Sequence, residues 1–345
     1  VAFSGCKKDC SYAGVQDVGF IAIDGGFKVL CGGGMGAISA VGKVIEEKIA
    51  PEEVGYVAKS IMNIFSKYGD RKNRHHNRLR FLIQDMGWDK FLELYKQEFS
   101  KVKEDEYIVL RTTDSSMELP EIKKNESMQE SQNEEYKIFL KYNVGEQKQK
   151  GYKYIKLKIP FGEINSDTLL ALASIVNISS TINFRTTQRQ NLIISNVPQD
   201  KVYIVYQEVK KILKDYLYAD TILDVVSCKA ATTCNLGICN AIALAPEVVS
   251  ELNNININLD KLSNVTINMN GCLNACGGHP IGVLALSGMV RKVYNKSVPF
   301  YKIYLGGKID AENTKISQEV GIVPARAVPK FISECVFDIS ENANG

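Results

Sequence analysis

Four of the nine cysteines fall into two close pairs separated by a long insert. Cys228 and Cys234 form a C-x5-C pair, and Cys272 and Cys276 form a C-x3-C pair. If the four thiols share one centre, the fold has to bring together two loops that are distant in sequence. Cysteine thiolates, normally four, hold a 4Fe-4S cube. The spacing therefore predicts an iron-sulfur site.

Small residues flank both pairs. Glycine lets the backbone approach a bulky group closely, and its N–H can point at a cluster sulfur. We expect this of Gly237, Gly271, Gly277 and Gly278. The alternatives are a structural zinc site or four unrelated buried cysteines. Zinc pairs usually have two or four intervening residues, so the observed spacing fits zinc poorly but does not exclude it.

Composition is that of an ordinary globular protein with room for more than one core. The 345 residues are 45% hydrophobic and 23% charged. The net charge of +3 is too small to indicate a nucleic-acid or membrane-surface partner. We find no apolar run as long as a membrane span and no signal peptide. An odd number of cysteines favours a metal site in a reducing cytoplasm over a disulfide framework.

The order G-C-x3-C, apolar strand, second strand, Gly-Gly occurs twice, starting at Gly5 and at Gly271. This order predicts an α+β fold made of two pseudo-repeats. Between them, a strand-helix-strand-strand-helix pattern predicts a ferredoxin-like half-domain. The predicted boundaries are 1–102 for the first repeat, 103–135 for a polar linker, 136–220 for the half-domain and 221–345 for the second repeat. We also expect helices over 37–49 and 81–99.

Seven basic or imidazole side chains lie between Tyr68 and Leu82. A charge run of this kind is most often a solvated helix start. Arginine, however, binds carboxylates bidentately, so a ligand with many carboxylates is the alternative. We expect His75 and His76 to face solvent rather than to bind a metal.

The cysteine pattern, with its N-G-C-x-N-x-C second pair, resembles the sirohaem and 4Fe-4S signature of the sulfite and nitrite reductase family. The resemblance implies that Cys228, Cys234, Cys272 and Cys276 hold the cube and that Cys276 also bridges to the sirohaem iron. The basic run is similar to the family's G-D-R-x-N-R-x-x-x-R-L-K segment, which contacts the sirohaem carboxylates. This similarity carries over to Arg71, Arg74, Arg78 and Arg80.

Two departures and two further expectations accompany the resemblance. The family usually has proline where this chain has Lys229 and Leu273, which changes backbone stiffness but removes no ligand. Thr233 and Asn274 stand beside cluster ligands, and we expect them to hydrogen-bond to the cluster or the macrocycle.

The F-R-T-T-Q-R-Q-N-L-I segment is similar to the family's F-R-x-T-x-x-Q-N-L-I stretch. Its polar residues either touch cofactor or anion or line a surface without cofactor, and the sequence does not decide between the two. These residues are Arg185, Gln188, Arg189 and Asn191.

The implied activity is the six-electron reduction of sulfite to sulfide or of nitrite to ammonia, with electrons from a separate ferredoxin or flavoprotein. The family's anion-binding Arg and Lys residues are expected upstream of Val1, because the chain resembles a fragment without its N-terminal part. We therefore expect the full-length protein to be the reductase and this stretch to bind cofactor poorly. Cys6 and Cys10 are interpreted as a vestigial pair. The rival from another class is a non-enzymatic electron carrier with a bare 4Fe-4S cube.

Overall fold

Three sheets, each covered by helices, organise the chain. The computed structural model describes residues 1–108, 110, 119–121 and 133–342. Within these residues the chain forms two units. Unit 1 comprises the N-terminal part as far as Ser115 with the short segments Leu273–Ala275 and Leu305–Gln318, and unit 2 comprises the rest.

Unit 1 contains a four-stranded sheet and three helices. Its elements are β1 (Ala2–Ser4), β2 (Val18–Ile23), β3 (Gly26–Cys31), β4 (Lys43–Ile49), α1 (Val54–Tyr68), α2 (Leu79–Met86) and α3 (Trp88–Asp105). The strand order is β1-β2-β3-β4, in which β1 and β2 are parallel and the other pairs are antiparallel. The apolar stripe of α1 packs on the sheet, with Val57 and Ile61 in the same buried cluster as Phe20 and Phe91.

One predicted helix in unit 1 is wrong, and another is divided in two. The segment 37–49 ends in strand β4, where Ile45 and Ile49 are buried and the backbone pairs with β3. Their four-residue spacing imitates a helix, but strand pairing decided the outcome. The helix expected over 81–99 is split into α2 and α3 at Gly87, whose φ of 87° lies outside the helical region.

The first part of unit 2 is a four-stranded antiparallel sheet with helices. Its elements are α4 (Glu134–Tyr142), β5 (Val144–Glu146), β6 (Tyr152–Leu157), α5 (Ser166–Ala173), β7 (Asn183–Thr186), β8 (Leu192–Pro198) and α6 (Val202–Ile212). The strand order is β5-β6-β8-β7. The predicted strand-helix-strand-strand-helix pattern corresponds to β6 through α6 and is confirmed. Tyr136, Phe139 and Tyr206 fill the core beneath it.

The second part of unit 2 is a five-stranded sheet. Its elements are β9 (Val226–Ser227), α7 (Ala241–Asn253), β10 (Ile267–Asn270), β11 (Leu284–Val293), β12 (Lys296–Leu305), β13 (Gln318–Pro324) and α8 (Val328–Asn342). The order is β13-β12-β11-β10-β9. The run β10-β11-β12-β13 repeats the order β1-β2-β3-β4 of unit 1, and each run begins with a parallel pair.

The α+β class and the internal repeat are thus confirmed. Most of the predicted linker 103–135 lies outside the described residues, with α3 ending at Asp105 and α4 beginning at Glu134. The domain boundaries themselves stay predictions. In the part of the chain that the structure describes, no helix combines the length and apolarity that a membrane crossing needs.

Candidate metal centre

The four paired cysteines follow two neighbouring parallel strands of unit 2. Strands β9 and β10 pair with Ser227 opposite Met269, so their carboxyl ends lie at the same edge of the sheet. Cys228 follows β9 directly, and Gly271 and Cys272 follow β10. The sheet topology therefore brings the first cysteine of each pair together, as the spacing predicted.

Backbone hydrogen bonds hold the two loops. The amide of Cys228 donates to the carbonyl of Met269 at 3.1 Å, and the amide of Gly271 donates to the Sγ of Cys228 at 3.2 Å. Within the C-x5-C loop, the amide of Cys234 donates to the carbonyl of Ala230 at 3.0 Å. An N–H directed at sulfur stabilises a thiolate, which is the form that binds metal.

The pKa of Cys276 reflects its surroundings, which include the other three cysteines of the motif. Its thiol pKa is raised above the usual value, first by burial and then by the neighbouring charges of Cys228, Cys272 and Cys234. Four thiolates in one place repel each other, and a cationic centre relieves that repulsion. All four of these cysteines are free thiols and none is in a disulfide.

The exposure of the site suits a group larger than one ion. Cys234 and Cys276 are exposed, and Cys228 and Cys272 are partly buried. In the same loops, Leu236 is 67% exposed. No three or more His, Cys, Asp or Glu side chains in the described ranges are placed to hold a single metal ion. In a cube, by contrast, each thiolate binds a different iron, so the ligands stand farther apart.

Three loop glycines make close contacts with the protein backbone. A Cβ at Gly237 would lie 2.5 Å from the amide nitrogen of Ala231, and one at Gly271 would lie 2.5 Å from the carbonyl oxygen of Cys239. A Cβ at Gly277 would meet the carbonyl oxygen of Met269 at 2.5 Å. These three glycines are required because the protein backbone packs against itself there. Their close approach to a cluster stays a prediction.

Asn270 is a buried group next to the site with an unused donor. Its Oδ1 accepts from the amide of His279 at 3.1 Å, and its Nδ2 is buried with no hydrogen-bond partner in the described part of the chain. Buried polar groups normally have a partner. An unpaired donor one residue before Gly271 is consistent with a bound group here. His279 is itself buried, which lowers its pKa to about 4 and keeps the imidazole neutral.

The arginines of the basic run in unit 1 differ in whether their guanidinium donors have hydrogen-bond partners. Arg78 donates from Nε and Nη2 to the two carboxylate oxygens of Asp17 at 3.0 and 2.8 Å. Arg80 stacks on Phe81, and its Nε and Nη1 are buried without a hydrogen-bond partner among the described residues. Burial first, and then Arg78, lower the pKa of Arg80. Of the four predicted arginines, Arg80 is thus the one with buried donors to spare.

The remaining predicted residues lie on the surface. Arg71, Arg74, Thr233 and Asn274 are exposed. His75 is exposed, as expected, whereas His76 is partly exposed and contacts Asp85 at 2.9 Å. The structure brings the four cysteines together; the contacts of Thr233 and Asn274 with a cofactor stay predictions.

The polar run of the half-domain forms the tip of the β7–β8 hairpin and bonds within unit 2. Arg189 donates from Nη2 to the carbonyl of Asp224 at 2.9 Å, and Asn191 donates to the carboxylate of Asp224. Gln190 bonds to Ser227, immediately before Cys228. Sequence reasoning missed Gln190 and Asn270. The signal available for them was their place inside polar runs next to the motif residues.

Comparison with known proteins matches this chain to one family twice. The family model described as "Nitrite and sulphite reductase 4Fe-4S domain" matches residues 1–103. The model described as "Nitrite/Sulfite reductase ferredoxin-like half domain" matches residues 145–212. Both matched ranges are therefore similar to domains of nitrite and sulfite reductases. Residues 228–276 lie outside both matched ranges, so the assignment of the four cysteines there rests on the geometry.

Curated relatives agree with this class. Sulfite reductase [ferredoxin] 2 of Mycolicibacterium paratuberculosis is 25% identical over 310 residues, which cover 87% of this chain and 51% of the relative. The chloroplastic ferredoxin–nitrite reductase of Spinacia oleracea is 26% identical over 302 residues, which cover 86% of this chain and 46% of the relative. The chain thus spans about half the length of the curated relatives it matches.

A solved structure shares the fold. The NirA protein of Mycobacterium tuberculosis superposes with a TM-score of 0.76 at 20% identity, covering 97% of this chain and 59% of that one. This likeness shows the α+β architecture of the two repeats and the half-domain.

Proposed function

We propose that this chain is the cofactor-binding part of a sirohaem and 4Fe-4S reductase that reduces sulfite to sulfide or nitrite to ammonia. The observation that carries the proposal is the start of both cysteine loops, which contain Cys228, Cys234, Cys272 and Cys276, at the carboxyl ends of the neighbouring parallel strands β9 and β10. Relatives from both the sulfite and the nitrite reductases support the class without separating the two substrates.

The four thiolates would hold the cube, and Cys276 is our candidate for the shared ligand to sirohaem. When bound, the coupled cofactors would supply stored electrons and a metal atom to which a small anion can bind. The chain's own part is to hold the four cysteines in place. The Gly271 amide does this for Cys228, because it donates a hydrogen bond to the sulfur at 3.2 Å.

Arg80 is our candidate for binding a cofactor carboxylate. Its two buried, unpaired donors are costly in a protein interior, and a carboxylate would satisfy both at once. Arg78 is the weaker candidate because its Nε and Nη2 already donate to the carboxylate of Asp17. Arg71 and Arg74 would contribute charge from the surface.

We further propose that a separate ferredoxin or flavoprotein delivers the electrons and that the protein is cytoplasmic. The relatives support the first point, since they include ferredoxin-dependent and NADPH-dependent enzymes. Four free thiols in the paired motif support the second, because such cysteines persist in a reducing compartment.

Turnover with reduced viologen as donor tests the proposal. Sulfide from sulfite, or ammonia from nitrite, is the expected product. Cys272→Ala should abolish turnover and iron binding, because a cube needs four ligands. Cys6→Ala, which removes an exposed thiol in unit 1, should change neither. Equal activity in the two variants would contradict the assignment, and a bound cube without turnover of either anion would favour the electron carrier.

A further inference from the structure

Gln190 makes two hydrogen bonds with Ser227, the residue immediately before the first cysteine of the metal centre. Its side-chain Nε2 donates to the carbonyl of Ser227 at 2.8 Å, and its Oε1 accepts from the amide of Ser227 at 3.3 Å. A primary amide that bonds both backbone groups of one residue imitates a neighbouring strand. Ser227 is 1% exposed, so these bonds are shielded from water.

This contact occupies the open edge of the five-stranded sheet. Strand β9 contains only Val226 and Ser227 and is the last strand in the order, with β10 on one side. An edge strand of two residues has little pairing of its own to hold it. The Gln190 amide supplies the pairing on the opposite side.

Gln190 is held firmly by its own hairpin. The hydroxyl of Thr187 accepts from the amides of Arg189 at 3.2 Å and Asn191 at 3.1 Å. Gln190 has a φ of 66°, a left-handed conformation that these loop bonds maintain. Asn191 is 2% exposed and its Oδ1 accepts from the amide of Ile159 at 2.9 Å. The amide of Gln190 is therefore presented by a rigid support.

The position of Ser227 is passed on to the first cysteine. Cys228 is the next residue, its amide donates to Met269, and its Sγ accepts from Gly271. A shift of Ser227 would lengthen both bonds and move the sulfur away from the other three thiols. Outer residues that orient a metal ligand typically change metal affinity by about 10- to 100-fold when mutated.

We propose that Gln190 is a positioning residue for the cluster: it clamps Ser227 so that the Cys228 thiolate is preset for binding. This inference rests on the proposed function, since it assumes that Cys228 is a cluster ligand. It gives the half-domain a direct role in assembling a centre whose ligands all come from the neighbouring sheet.

The test compares Gln190→Ala with Gln207→Ala in the whole chain. Gln207 is an exposed glutamine on α6 of the same half-domain and serves as the matched control. In cluster-free protein, hydrogen exchange of the Ser227 amide, followed by NMR, should rise at least tenfold in Gln190→Ala only. In loaded protein, the rate of iron loss to a chelator should rise about tenfold or more in that variant only.

Gln190→Glu separates positioning from folding. The glutamate keeps an acceptor for the Ser227 amide but loses the donor to the Ser227 carbonyl. It should fall between wild type and Gln190→Ala in chelator resistance, and it replaces Gln190→Ala if that variant does not fold. Rapid exchange at Ser227 with unchanged iron loss would overturn the proposal. A wild-type protein that binds no cluster but keeps a protected Ser227 amide would instead overturn the proposed function, and the positioning role with it.

Discussion

At the scale of single residues, the metal centre depends on close backbone contacts around the cysteines. Gly271 is the clearest case, since its amide donates to Cys228 and its carbonyl accepts from the amides of Ile238 and Cys239. One residue thus connects the C-x5-C loop with the C-x3-C loop. The sequence singled out this glycine for an N–H directed at sulfur, and the structure shows that N–H at the sulfur of Cys228. Its close approach to a cluster stays a prediction.

Gly271→Ala should destabilise the protein and the cluster together. The new Cβ would lie 2.5 Å from the Cys239 oxygen and 2.6 Å from the Ala230 Cβ, so the loops must separate. Overpacking of this kind costs about 1–3 kcal/mol. We expect a lower unfolding midpoint in denaturant and a lower iron content. Gly321→Ala, where a Cβ meets nothing within 4 Å, is the control, and equal losses in both variants would contradict the contact argument.

His279 should make stability depend on pH below neutrality. Burial lowers its pKa to about 4 in the fold, against about 6.5 unfolded. The neutral ring is favoured in the folded protein, so this stabilisation is complete above pH 6.5 and is lost as pH falls towards 4. The contribution is about 3 kcal/mol. Urea unfolding of cluster-free protein should show this decline in the free energy of unfolding, and His279→Gln should flatten it. The same pH dependence in wild type and variant would refute the assignment.

At the scale of elements, strand pairing decided what the sequence could not. Buried apolar spacing predicted most helices and the half-domain pattern correctly, because those periodicities are local. Segment 43–49 carries the same spacing yet is strand β4, since it pairs with the preceding strand β3, and its own periodicity does not show that pairing. The contact of Gln190 with Ser227 could not be predicted from the sequence either, because it also joins two separate segments. Cysteine spacing predicts ligands, but it cannot show which hairpin tip supports them.

Gly87 should be intolerant of any side chain although space is available. A Cβ there meets nothing within 4 Å, so the only cost is its backbone conformation, with φ 87° and ψ 145°. That region is essentially restricted to glycine and costs about 1–3 kcal/mol for other residues. Gly87→Ala should lower the unfolding free energy by this amount in a chemical denaturation curve. Gly5→Ala, also in open space but without a positive φ, should leave it unchanged.

At the scale of the whole molecule, one strand order occurs twice with different chemistry. In unit 1, the loop after β1 carries Cys6 and Cys10, both exposed, while in unit 2 the corresponding loop after β10 carries Cys272 and Cys276. Only unit 2 adds β9 and thereby the second cysteine pair. The repeat was readable from the sequence because its motif order is linear. The added strand was not, because two residues give no periodicity.

The most direct test is an absorption spectrum of the purified full-length protein together with iron and acid-labile sulfide analysis. We expect a Soret band, a red-region band and iron in excess of sulfide, as a sirohaem coupled to a 4Fe-4S cube requires. Iron equal to sulfide without tetrapyrrole bands would contradict the reductase and leave an electron carrier. Zinc without iron would contradict the assignment of Cys228, Cys234, Cys272 and Cys276 altogether.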